Sequence, residues 1–127
     1  MAGKETIKGI MIVDGFRERK IDSCWIEDFN HFSEMQWKDF DYKLTGGESL
    51  REVQDRNIKA LTDILREYKN KNVVIGSHGT ALSTVIHYYD PTFGFAEFQQ
   101  IRNLMPWIVK FTFEDEKFMG VVLINIL

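Results

Sequence analysis

The chain has a single cysteine, Cys24, among its 127 residues, so no internal disulfide can form, and a reducing cytoplasm is the simplest setting. With only three scattered histidines beside it, a structural zinc site is a poor fit, and no metal or other cofactor is expected. No apolar run approaches the about 20 residues that a bilayer-spanning helix needs. The N-terminal stretch MAGKETIKGIMIVDGF has too short an apolar segment and no small-residue cleavage site, which argues against a signal peptide. Charge of neither sign dominates: 16 Lys and Arg against 19 Asp and Glu leave −3, which supports neither a nucleic-acid nor a membrane-surface partner. Internal repeats, low-complexity tracts and linkers are also absent, so the length reads as one domain over residues 1–127.

What is present is an ordinary globular balance, 44% hydrophobic and 28% charged, with an uneven distribution of aromatic residues. Trp25, Phe29, Phe32, Trp37, Phe40 and Tyr42 crowd one short region and need something large to pack against. Within residues 26–40 aromatics recur at three- or four-residue steps, which predicts one or two short helices with an aromatic face. Upstream, residues 7–13 (IKGIMIV) read as a short strand ending at the turn Asp14-Gly15, and FRERKIDSCW reads as loop. The clearest helix covers residues 49–69, with Leu50, Val53, Ile58, Leu61, Ile64, Leu65 and Tyr68 on one face, Ser49 and Glu52 at capping-box spacing, and Asn70 at its end. Residues 72–77 form a continuous apolar run, the pattern of a strand covered on both faces. A helix over 80–89, with Leu82, Val85, Ile86 and Tyr89 inward, stops at Asp90-Pro91, and a further helix covers 94–103. Residues 106–113 alternate, with Trp107, Val109, Phe111 and Phe113 on one side, and pair across Glu114-Asp115-Glu116 with residues 117–127 as a hairpin. The class is α/β with a mixed sheet.

The stretch VVIGSHGTALSTVIHYY (residues 73–89) places a titratable imidazole, His78, where the expected strand gives way to a helix. Ligands of open α/β sheets bind beyond the carboxyl ends of the strands, and a helix N-terminus attracts anions through its free N–H groups. A histidine there suits a phosphate or carboxylate. A strand–His–Gly–helix junction is a short motif, however, and a hydrogen-bonded, inert histidine in a tight turn is the commoner explanation of it taken alone.

The wider pattern adds weight. GGESLREVQDR, a long helix, and then NVVIGSHGTALSTVI resemble the C-terminal half of the histidine phosphatase superfamily, with the nearest likeness to its phosphoglycerate mutase-like branch. GFRERKIDSCWIEDF is similar to the family stretch that supplies an acid residue, so the likeness runs over about residues 13–113. The resemblance implies a three-layer α/β/α fold with a mixed, mostly parallel sheet, and phosphoryl transfer from small phosphate esters through a phosphohistidine, without a metal. It implies that His78 binds the transferring phosphoryl group and that Glu18 is the general acid/base, with Arg17, Gly79 and Thr80 as the substrate-binding neighbours. A phosphoryl group in flight needs donors around its oxygens, and a carboxyl group can protonate the leaving alkoxide.

The departure from the family is as informative. Its members begin with a strand ending in Arg-His-Gly, whose histidine is the nucleophile; this sequence has no Arg-His-Gly, and Arg17 is its first arginine. His31 and His87 match neither family histidine. The chain is therefore expected to be a phosphoglycerate mutase-like domain incomplete at its N-terminus, with impaired activity; the alternative is a non-catalytic relative that dimerises and binds anions weakly. Other readings stay open. Arg17 and Arg19, in RERK, fit a solvated charge run, and Glu18 fits a retained site residue or a relic. Glu27 and Asp28 are adjacent and point apart, Glu48 fits a helix start or a ligand contact, and the aromatic cluster fits a satellite core or a pocket wall. With the first family strand absent, the run 72–77 is expected to expose a bare, unguarded edge, which predicts a homodimer formed by sheet continuation or by exchange of the N-terminal strand. The expected small-molecule partner is a phosphate ester or inorganic phosphate.

Overall fold

The longest amphipathic pattern folds as α2 (Leu50–Glu67), and the rest of the molecule is arranged around it. Ser49 caps it in a reciprocal box: the Ser49 hydroxyl accepts from the Glu52 N–H, and the Glu52 carboxylate accepts from the Ser49 N–H, both at 3.1 Å. The helix ends at Glu67 with Tyr68 as its C-cap, and in the turn beyond, Asn70 takes φ 59°, a conformation asparagine tolerates better than most residues. The computed structural model describes residues 4–7, 10–21, 28–101 and 108–124. Before α2 come β1 (Lys4–Ile7), β2 (Ile10–Val13), a 3-10 turn (Asp14–Phe16) and α1 (Phe29–Lys38). After it come α3 (Gly79–Tyr89), α4 (Phe95–Ile101), β3 (Ile108–Glu114) and β4 (Lys117–Ile124). Cys24, Trp25, Glu27 and Trp107, singled out from the sequence, lie outside the described residues.

The core is the seam between α2 and α3. Leu50, Val53, Leu61 and Ile64 of α2 and Ala81, Val85 and Ile86 of α3 are buried. The buried stripe of α2 is 50, 53, 54, 57, 60, 61 and 64, a regular helical face. It differs from the expected one: Gln54 and Asn57 are inside, and Ile58, Leu65 and Tyr68 are only partly covered. Hydrophobicity alone could not place the two amides. They are buried because their donors are satisfied there, Gln54 by the Thr84 carbonyl at 3.0 Å and Asn57 by the Val53 carbonyl at 2.8 Å.

Tyr89, at the end of α3, carries the C-terminal hairpin. Its ring stacks on Phe118 at 4.8 Å and meets Phe113 and Phe111 edge-on at 5.4 and 6.2 Å. Val109, Phe111 and Phe113 share the more covered side of β3, as their alternation predicts, and Asp115 takes φ 54° in the two-residue turn between Glu114 and Lys117. The aromatic cluster of α1 is a satellite core. Trp37 packs against Phe40, His87 and Phe98 with centroids 5.5 to 5.8 Å apart, and the His87 ring nitrogen Nδ1 lies 2.6 Å from the Phe93 carbonyl oxygen.

The sheet departs most from expectation. Among the described residues there are two separate antiparallel pairs, β1–β2 and β3–β4, and no parallel pairing. Where a single strand is expected over 7–13, the described residues hold two strands, β1 and β2, paired antiparallel with Ile7 facing Ile10. The run 72–77 is not a strand. Residues 71–78 are irregular and exposed, with Val74 fully so. An apolar run becomes a buried strand only when neighbours take its backbone N–H and C=O groups, and no described strand lies beside it. The class is thus helices with small antiparallel sheets.

The 3-10 turn is seated on α2 at Gly15, where a Cβ would lie 2.7 Å from the Ala60 Cβ and 3.1 Å from the Arg56 carbonyl oxygen. Gly15→Ala should therefore cost about 1–3 kcal/mol by overpacking. Ala60→Gly costs about 1 kcal/mol through helix propensity. Urea denaturation of the single and double variants should show Gly15→Ala costing less in the Ala60→Gly background; strict additivity would mean that the close approach is not what requires glycine.

Candidate functional site

The residues expected to act fall into two groups, one on each of two segments that flank α2. The first is the acid segment, residues 14–21, which after its 3-10 turn has no regular structure. Its carbonyls need donors, and Arg56 of α2 supplies them. Arg56 Nη1 donates to the carbonyls of Gly15 at 3.0 Å and Arg17 at 2.6 Å, and Nη2 donates to that of Glu18 at 3.0 Å. Its Nε and the remaining Nη2 hydrogen hold the Glu48 carboxylate side-on, both at 2.9 Å. All five guanidinium donors are therefore in use. Glu48 in turn accepts from the Lys20 N–H at 2.9 Å, while its own N–H donates to the Lys20 carbonyl at 2.7 Å. Gly47 allows this approach, since a Cβ there would collide with the Ile21 carbonyl. The hydrogen bond from Arg56 chiefly, with help from the Lys20 N–H and the charges of Arg56 and Arg17, holds the Glu48 carboxyl below the usual carboxylate range against its partial burial.

Glu18 itself is exposed, and its Oε1 accepts from the Arg19 N–H at 2.7 Å. Arg17 is half exposed and turned to acidic neighbours, with Nη1 2.7 Å from the Asp14 carboxylate and Nη2 3.6 Å from that of Glu48. Arg19 corrects the reading of RERK as a solvated run. It is 7% exposed, its guanidinium lies over the rings of Phe29 and Phe32 at 5.3 and 5.5 Å, and Nη1 donates to Gln36 Oε1 at 2.6 Å. Desolvation lowers its pKa, partly offset by Glu18. Gln36 passes the tie on, donating to the carbonyls of Tyr42 and Glu48.

The second group stands at the start of α3. His78 is its N-cap, exposed, with no side-chain capping bond, and its carbonyl accepts from the Leu82 N–H at 2.8 Å. The preceding N–H groups of the first turn have no partner within the helix. Gly79 has ordinary helical backbone, and a Cβ there would meet open space, so glycine keeps the helix end unobstructed rather than making a strained turn. Thr80 is buried. Gln54 fixes α3 to α2, as Arg56 fixes the acid segment. No hydrogen bond or ion pair among the described residues joins the two groups directly. Their shared partner is α2.

The sequence assigned no role to Arg56, and Glu48 fitted either a helix start or a ligand contact. Ser49, not Glu48, is the cap, and Glu48 precedes the helix, so spacing rules within a helix do not reveal the pair. Asp28 is a helix cap, accepting from the His31 N–H at 2.9 Å. Among the described residues no cluster of His, Cys, Asp or Glu could hold a metal, and no helix is long and apolar enough to cross a membrane.

A profile of the histidine phosphatase superfamily (branch 1) matches residues 12–126, and so takes in both groups and α2 between them. No curated protein and no solved structure matches the chain.

Glu48→Gln should cost about 1.5–3 kcal/mol at neutral pH, the range for hydrogen bonds to charged groups. Because the folded carboxyl titrates below the unfolded one, its stabilisation is full above the unfolded glutamate value near ~4.3 and lost as pH falls through the lower folded value. Denaturation midpoints measured from neutral to acid pH should show a shallower acid limb in Glu48→Gln. Parallel limbs would remove Glu48 as a source of the acid sensitivity.

Proposed function

Because this chain belongs to the histidine phosphatase superfamily, we propose that it binds inorganic phosphate or a small phosphate ester at the N-terminal end of α3, with phosphoryl-transfer chemistry impaired. The observation that carries this is the open first turn of α3 beside His78, whose ring is exposed and whose side chain makes no capping bond. Free N–H groups, the helix dipole and an imidazole beside them suit an oxyanion. In this reading His78 is the phosphate ligand, Gly79 and Thr80 present the helix end, Arg17 leaves Asp14 to meet the anion, and Glu18 is the acid that protonates a leaving oxygen. The family reaction forms an N–P bond on a nucleophilic histidine as the P–O bond to the leaving group breaks. This sequence has no Arg-His-Gly to supply that histidine, so the covalent route, which divides one difficult step into two, is missing from the chain as it stands.

An assay on an aryl phosphate should show no turnover above that of His78→Ala. Titration with phosphate should move the His78 imidazole resonance with millimolar affinity, about 4 kcal/mol. Turnover that His78→Ala abolishes would instead make His78 the nucleophile, and a resonance unmoved by phosphate would remove the site.

The same reading extends to assembly. Residues 1–127 act as one domain, and the segment 71–78 is the place where a strand neighbour is required to build the three-layer, mostly parallel sheet of the family. Val73 is 44% exposed, Val74 100% and Ile75 37%, with no proline or charge among them. Such a run recruits another backbone. A second copy is the partner we infer, giving a homodimer. Sedimentation at micromolar concentration should show a dimer, and Val74→Lys should weaken it by about tenfold or more. A monomer that does not aggregate over the same range would count against it.

A further inference from the structure

Arg56 touches three backbone carbonyls of the acid segment and leaves the Glu18 side chain alone. A residue recruited only for stability needs no such distribution, since one ion pair with Glu48 would neutralise it. Its contacts instead fix the path of the backbone on both sides of Arg17 and up to Glu18. The Lys20 N–H and carbonyl, held by Glu48, fix the path beyond. Glu18 is thus the one carboxylate of a stretch pinned before and after it, with its own Oε1 tethered to the next N–H. Arg56 lies two positions from Gln54, which binds the Thr84 carbonyl of α3. One helix therefore binds both segments, the first through Arg56 and the second through Gln54.

We propose that Arg56 and Glu48 are positioning residues that set the Glu18 carboxyl toward the space in front of the α3 N-terminus. This rests on the phosphate-site reading above and adds to it the device that makes Glu18 part of that site. Three carbonyl contacts and one bidentate pair cannot be reproduced by lysine, a point charge on a flexible stem. Arg56→Lys therefore keeps the charge beside Glu48 and gives up the geometry.

The test is a titration of the full chain with inorganic phosphate, following the His78 imidazole and the Glu18 side-chain carboxyl carbon by NMR. In the wild type both resonances should move along one binding curve. In Arg56→Lys the His78 response should persist while that of Glu18 falls to background, and amides 17–20 should exchange about tenfold faster or more, with those of α3 unchanged. If Arg56→Lys does not fold, Glu48→Asp, which keeps the charge and shortens the side chain, serves with the same expected result. A wild-type Glu18 resonance indifferent to phosphate while His78 responds would overturn the proposal, as would equal responses of Glu18 in wild type and variant. A wild-type His78 resonance that ignores phosphate would instead fail the phosphate-site reading. In that case faster exchange confined to amides 17–20 of the variant would still support the clamp, and exchange uniform across the fold would overturn it.

Discussion

The ion pair between Arg56 and Glu48 is the interaction on which the arrangement of this chain turns. Both side chains are about 15% exposed, shielded enough that either charge left alone would be costly, and each is the other's main partner. What distinguishes the pair from an ordinary half-buried salt bridge is the rest of its bonding. A guanidinium has five donors in a fixed fork, and here the three not given to the carboxylate satisfy carbonyls of a segment that has no helix or strand to satisfy them. The acid segment follows its course because α2 offers donors at those points, and Gly15 and Gly47 have no side chain to prevent the approach.

A second tie runs in parallel through Arg19 and Gln36. A cation between two phenyl rings with a neutral amide as its hydrogen-bond acceptor is an uneasy arrangement, and its lowered pKa records the desolvation. Gln36 compensates by joining three elements at once: its oxygen takes Arg19, and its nitrogen takes carbonyls at Tyr42 and Glu48. Buried amides recur in this role, with Gln54 linking α2 to α3. The polar groups in this interior mark where one segment must meet another in a single register, while the apolar face of α2 and the aromatic contacts of Trp37 and Tyr89 supply the bulk of the packing.

The two ends of the molecule's chemistry are thus unequally prepared. Residues 14–21 are held by many bonds. The segment before α3 is exposed, apolar and without a strand partner, while the helix it leads into is well packed along its inner face. The α3 end and the segment bound by Arg56 both rest on α2, whereas the run before α3 has no described strand beside it.

The sequence by itself determined the helices, because period, capping and breaker residues are local: Ser49 with Glu52 and Asp90 mark ends that the structure reproduces. It determined the C-terminal hairpin through alternation and a polar turn, and the family through the order of its motifs. Tertiary structure alone decided the fate of the apolar run 72–77, since strand formation depends on a partner that no local pattern supplies. It alone decided which polar residues go inside. Gln54 and Arg19 look like surface residues until the Thr84 carbonyl, the Gln36 amide and a pair of rings are brought to them. The pairing of Glu48 with Arg56 was also beyond local reading, because a residue ahead of a helix reaches one inside it only when the intervening turn is folded, and the three carbonyls they organise come from a segment about forty positions earlier.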